Sequence, residues 1–349
     1  MWQILLQIGH CWAFSAIVCR VDFPNLAAVD ESGRRRSGYV ALAATVLLWA
    51  SFALSSRAIG GSSLTEQDAA LVRFAVPLLV LAPLLPRTVR ALARERCATV
   101  ALLLAGGLPH YLLFALGAQL TSAGLTGLLV PGTVPLFVTL LLLGQRRVSP
   151  RAWASLGAIV AGVVASATMI GDGAGPSGIT VLLVAGAVWA VYTLGLQRTS
   201  LRPLEIVVAV CAGSTLAALA LVGSGLAPSH LLAGSVRPTD LLSFVVLQGI
   251  GTGLLSTLCY THAVRALGGG VAAVGGALSP VVTAVAAVPL LGEAIGTGLA
   301  VALVLVVAGV IGFNAAPRPA PVRPAVLREQ PADLLGVVQL RPVAAAVDA

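Results

Sequence analysis

The stretches Leu47-Leu48-Trp49-Ala50-Ser51-Phe52-Ala53-Leu54 and Ala187-Val188-Trp189-Ala190-Val191-Tyr192-Thr193-Leu194 stand 140 residues apart and read alike. Each has Trp-Ala, an aromatic residue three positions after the Trp, and an arginine soon afterwards (Arg57, Arg198). Each also sits in an apolar run of the length, roughly 20 residues, that crosses about 30 Å of hydrocarbon as a helix.

The rest of the chain has the same character. Of 349 residues, 58% are hydrophobic and 10% charged, and the mean hydropathy is +0.98. Soluble domains carry about 25% charged residues, so a water-soluble enzyme is excluded and the chain reads as a polytopic membrane protein. All 21 basic residues are arginines, and the net charge is +8. They lie singly or in small groups between apolar runs rather than on one basic face, so no nucleic-acid partner is expected; the lipid bilayer is. Five cysteines (Cys11, Cys19, Cys97, Cys211, Cys259) show no CxxC pair and no metal-ligand spacing, so neither metal nor cofactor is expected.

Ten spans are predicted, approximately Gly38–Ile59, Gln67–Leu85, Ala98–Leu116, Gly124–Leu143, Ala152–Ile170, Ile179–Leu196, Leu204–Val222, Leu241–His262, Gly270–Leu291 and Gly298–Phe313. Arginine clusters at 34–36, 87–96, 146–151, 198–202, Arg265 and the tail fall on one side of this threading, while the other side has Arg237 and, near a helix end, Arg57. By the positive-inside rule both termini are cytoplasmic. Residues 1–37 are expected to be an N-terminal extension outside the functional core, although 1–19 are apolar enough to form an additional span. Residues 315–349 are expected to be a flexible cytosolic tail.

The likeness between the two quoted stretches extends further. Gly106 and Ala118 parallel Gly251 and Ala263, and Pro135 before Gly144-Gln145 parallels Pro280 before Gly292-Glu293, at offsets between about 140 and 148 residues. The fold expected is therefore an all-α integral membrane protein of ten transmembrane helices as two inverted five-helix repeats, 38–170 and 178–314. An odd number of helices per repeat makes the second enter the membrane from the opposite side, the arrangement on which alternating access rests.

At this level the chain resembles the EamA-type family of the drug/metabolite transporter superfamily. The residues that carry the resemblance are Leu48-Trp49-Ala50-Ser51-Phe52, Leu71-Val72-Arg73-Phe74, Thr121-Ser122-Ala123 and Pro135-Leu136-Phe137. In the second half they are Trp189-Ala190-Val191-Tyr192, Ala263–Leu267, Ser279-Pro280-Val281 and Leu291-Gly292-Glu293. Two departures are Gln145 where the family often has Glu, and an interval Pro135–Gln145 that is three residues shorter than Pro280–Glu293. The resemblance implies a bacterial inner-membrane carrier that exports small metabolites, amino acids or toxic compounds, with a cavity lined mainly by spans one, three, four, six, eight and nine.

Polar groups within hydrocarbon are costly, so each one asks for a reason. Arg73 in span two can hold an anionic group such as a carboxylate; the alternative is an anchor bonded to helix-end carbonyls, Glu66 or Asp68. His110 follows Pro109 near the middle of span three, where it can carry a coupling proton or stay neutral on a carbonyl. Trp49 with Phe52, and Trp189 with Tyr192, share one helix face by their spacing and can present rings to a cavity, or to lipid. Tyr111, Gln119, Gln248 and Tyr260 are further lining candidates. Stripes of small residues (Gly157/Ala161, Ala272/Gly276/Pro280, Gly298/Ala302) allow close packing within the bundle or between subunits, which leaves a homodimer open.

The expected function is secondary transport of a small-molecule substrate. Without any lysine the chain has no Walker A loop. The alternative, an integral-membrane enzyme acting on a lipid or isoprenoid, would want clustered acids or histidines at one membrane face; Glu66 and Asp68 are the one close acidic pair among the spans.

Overall fold

A computed structural model describes residues 31–143, 148–169 and 175–316. The tail, the additional span within 1–19, and Gln145 with its turn lie outside or almost wholly outside the described residues. Helix α1 (Glu31–Ala58) begins ahead of the expected start at Gly38. Then come α2 (Glu66–Val80), α3 (Leu85–Leu92), α4 (Cys97–Ala105), α5 (Leu108–Leu120), α6 (Ala123–Leu141) and α7 (Pro150–Met169). The second half holds α8 (Pro176–Arg198), α9 (Pro203–Gly223), α10 (Pro238–Phe244), a π-helical segment (Val245–Leu255), α11 (Ser256–Leu267), α12 (Gly269–Gly276), α13 (Ser279–Leu291) and α14 (Thr297–Ala315). Among the described residues nine helices are long and apolar enough to cross a membrane, or ten if the bent pair Glu66–Val80 and Ala82–Leu92 counts as one. Leu79, Leu216, Leu290 and Val304 are exposed on the outside of the bundle, where lipid tails would cover them.

Breaks fall where the chemistry asks for them. The second span bends by 68° after Val80 through a 3-10 turn at Ala82–Leu84, where Pro83 and Pro86 supply no amide hydrogen to continue the helix ladder. The third span breaks at Gly106-Gly107 ahead of Pro109, and the restarted helix has its Leu108 amide capped by Ser214 Oγ at 3.0 Å. The ninth span breaks before Pro280, which takes a first-turn position of α13.

Two large apolar clusters make up most of the core, with a small third around Val80, Leu81, Val208 and Leu254. One centres on Leu71, Phe74, Leu108, Tyr111 and Cys211, the other on Leu125, Leu128, Leu182 and Val306, and Phe52 packs against both. Helix α1 packs on α11, α13 and the π segment; α8 packs on α4, α5 and α6; α2 meets α9, α6 meets α13, and α7 meets α14. Small residues set the approach of α7 and α14; of those expected, Ala302 is buried in this contact, its carbonyl 3.2 Å from a Cβ placed on Gly162. Gly157 has open space around its α-carbon, and the close contacts are Gly162 against Val306, Gly309 against Ile159 and the Ser155 carbonyl, and Gly312 against Ser155.

The bundle has two ends. At one, the start of α8 lies against the end of α5, where a Cβ on Gly178 would meet Thr121 and Leu120. At that same end Gln119 donates to the Ser56 carbonyl of α1 at 2.7 Å. At the other, Glu95 accepts from Thr199 and Ser200 just beyond the end of α8. Helix α8 therefore runs opposite to α1.

Candidate functional site

The π segment decides the geometry of the interior. Its wider turns bring Gly249 against Val76 and Gly253 against Pro77 and the Arg73 carbonyl of α2. The Thr252 hydroxyl bonds the Leu247 carbonyl at 2.9 Å, five residues back, as π turns allow. This close approach places Gln248, fully buried, between α1 and α2. Its amide nitrogen donates to Ser55 Oγ (2.7 Å) and Ser56 Oγ (3.2 Å), and its Oε1 accepts from Arg73 Nη1 at 3.1 Å.

The Arg73 guanidinium lies over the Phe52 ring, 4.1 Å from its centroid, with Tyr111 and Phe74 at 5.7 and 5.8 Å. Such a face attracts a cation. Among the described residues no carboxylate pairs with Arg73; the ion pairs formed are Arg57–Glu293, Arg87–Glu205 and Arg237–Asp240. Asp68, one of the expected anchors, accepts instead from Thr65, Ser229, His230 and Leu231.

An aromatic chain leads on from Phe52. Its ring stacks on Phe114 at 4.3 Å, Phe114 meets His110 at 5.9 Å, His110 meets Trp189 at 4.6 Å, and Trp189 meets Tyr192 at 4.9 Å. His110 Nδ1 is 3.1 Å from the Ala185 carbonyl; a carbonyl only accepts, so the proton belongs on Nδ1. Tyr111 is 1% exposed, and its hydroxyl has no hydrogen-bond partner among the described residues. Tyr192 covers Gly106, where a Cβ would come within 2.4 Å of the ring.

The structure thus brings Phe52, Arg73, His110, Tyr111, Trp189, Tyr192 and Gln248 into one continuous cluster between α1, α2, α5, α8 and the π segment. Trp49 and Tyr260 stand apart as a pair, 5.1 Å between centroids, with Trp49 against Gly276. Gln119 ties α5 to the end of α1 rather than joining the cluster. Sequence reasoning missed Ser55 and Ser56, although a Ser-Ser pair within an apolar run was the available signal. Phe74 and Phe114 carry no signal beyond hydrophobicity.

A second arrangement closes one end. Glu293 accepts from Arg57 Nε at 3.3 Å and from the Ala123 amide at 2.9 and 3.0 Å, where the amides of α6 begin. A carboxylate at a helix N-terminus meets both unpaired amides and the positive end of the helix dipole. A recess of about 350 Å³ lined by Arg57, Ala58, Gly61, Leu291 and Glu293 opens beside it. Among the described residues no group of three or more His, Cys, Asp or Glu is placed to hold a metal.

Many apolar spans around a buried polar and aromatic interior define a multi-pass membrane protein. Residues 176–315 match the EamA-like transporter family. That segment is similar to the EamA-like transporter family, as the sequence resemblance implied. A solved crystal structure of another protein shares 22% identity at a TM-score of 0.54, covering 80% of this chain and 97% of that one; at that identity the likeness is one of fold. No curated protein matches the chain.

Proposed function

We propose that the protein is a secondary carrier that exports small metabolites, amino acids or drug-like compounds across a bacterial inner membrane by alternating access. The cluster around Arg73 and Gln248 is its solute site, both termini are cytoplasmic, and each half is an inverted copy of the other.

The packing pattern supports the inversion. Exchanging each of the first five spans with the span five later turns the contacts of α1 with α11 and α13 into those of α8 with α5 and α6. The same exchange maps α2 with α9, α6 with α13, and α7 with α14 onto themselves. Two halves related in this way can swap conformations, which converts access from one side into access from the other.

The observation that carries the reading is the cluster's position. Its polar members come from both halves, Arg73 and Tyr111 from the first and Gln248 from the second, so relative movement of the halves remakes the site. Glu293 from the second half, held by Arg57 and the Ala123 amide of the first, closes the external face in this conformation. His110 lies within the cluster and is the group through which a proton gradient would act.

Flux of a metabolite panel in proteoliposomes, with and without a pH gradient, tests this reading. A carrier moves at least one solute faster than empty liposomes do; a chain that moves none is not one.

A further inference from the structure

We infer that the Arg73–Tyr111 cluster is a binding site for an organic monocarboxylate with an aromatic or bulky apolar body. This rests on the carrier reading above and narrows its substrate class.

A guanidinium presents five N–H groups in a planar fork. Among the described residues one acceptor, Gln248 Oε1, takes a hydrogen bond from Arg73, and no carboxylate pairs with it. Gln248 itself is fully used, since its nitrogen is committed to Ser55 and Ser56. Arg73 is half-buried, and close by the Tyr111 hydroxyl is a buried donor without a partner among the described residues. What would satisfy both the free N–H groups of Arg73 and the buried Tyr111 hydroxyl is an oxygen acceptor carrying negative charge.

The remaining features select which anion. The cluster has one permanent positive charge, which matches a monoanion rather than a phosphate dianion. A planar carboxylate fits the guanidinium fork with two parallel hydrogen bonds. The walls are rings: Phe52 under the guanidinium, Phe74 and Tyr111 beside it, then Phe114 and Trp189. No described Asp or Glu pairs within the cluster, so a cationic solute finds ring faces and a repelling arginine. This is the reverse of what a cation exporter needs.

Thermal unfolding of the purified full-length protein in detergent, at constant ionic strength, tests the assignment with 3-phenylpropionate as probe. The uncharged amide of the same skeleton, phenethylamine and acetate serve as comparisons. The unfolding midpoint should rise with 3-phenylpropionate in a saturable way and stay flat with the amide and the amine. Acetate should need at least about tenfold more for the same shift, since ring burial alone is worth that much. Arg73→Gln should abolish the response. Tyr111→Phe, which preserves shape, should weaken it about tenfold, the equivalent of one hydrogen bond to a charge. Equal stabilisation by the amide, or a response that survives in both variants, overturns the assignment, as does a flat response to 3-phenylpropionate. A protein that transports a neutral or cationic solute in liposomes while failing here is still a carrier, and its substrate is not an anion.

Discussion

Arg73 and Gln248 are 175 residues apart in the chain and meet at 3.1 Å through Nη1 and Oε1. The pair joins the two halves at a point where Gln248 is fully buried and Arg73 half-buried. Gln248→Leu removes the one acceptor of the Arg73 fork and the donor to the Ser55 and Ser56 hydroxyls, although Ser55 still donates to the Ser51 carbonyl, and we expect it to cost about 1–3 kcal/mol. Chemical unfolding in detergent reads this directly. Gln248→Glu has the opposite character. It puts a carboxylate beside Arg73, so the fold should persist while any anionic solute is displaced and flux is lost.

Glu293 links Arg57 to the start of α6. Glu293→Gln keeps the shape and removes the charge, which weakens the link by about 1 kcal/mol. That is worth about a fivefold shift in population toward opening at this end. Cysteine labelling measures it: Ser56→Cys, at a position fully buried here, should react several-fold faster with a membrane-impermeant thiol reagent when Glu293 is Gln. The comparison belongs in a background without the native cysteines.

Gly106 has no room for a side chain beneath Tyr192. Gly106→Val should destabilise by about 1–3 kcal/mol through overpacking. Adding Tyr192→Ala should recover part of the loss, because the two changes share one space and are not additive. Unfolding midpoints of the two single variants and the double variant show whether they couple.

Glu95 lies in the turn between α3 and α4, and hydrogen bonds from Ser200, then from Thr199, hold its carboxyl below the ordinary glutamate range. A depressed value in the folded protein means that the contribution is complete above the ordinary carboxylate value and fades as pH falls through the lowered one. Stability followed from pH 6 down to about pH 3 should decline more steeply in the native protein than in Glu95→Gln. Equal slopes would show that these bonds carry no pH dependence.

The inverted arrangement has its own check. Reporter fusions after α1, at Ser62, and after α8, at Ser200, should report opposite compartments, with Ser62 external. The same compartment at both sites would remove the inversion.

Much of the architecture was legible in the sequence because hydrocarbon imposes a length on every span. The runs that predict ten crossings correspond to helices that the structure contains, and the Pro109 break was visible as a proline in an apolar run. The sharp bend after Val80 was not anticipated, since Pro83 and Pro86 lie at the end of a run where a loop was equally natural. The π segment was hidden as well. Gly249, Gly251 and Gly253 mark it, but glycines at that spacing are also ordinary small-residue packing. Arg73, His110 and Gln248 stood out because polar groups are rare in such runs. Their partners did not, because a contact across 175 residues depends on how helices cross, and no local pattern encodes that. Trp49 and Phe52 illustrate the limit: their spacing puts both on one helix face, yet one packs on Tyr260 and the other under Arg73.

The central claim is that solute passes through the Arg73 cluster, and reconstituted flux tests it most directly. A metabolite panel rich in monocarboxylates should be presented to proteoliposomes holding either the native protein or Arg73→Gln at matched protein content. The native protein should carry at least one solute well above empty liposomes, and Arg73→Gln should lose that flux. Flux that is unchanged in Arg73→Gln, or absent for every solute in the native protein, would contradict the claim.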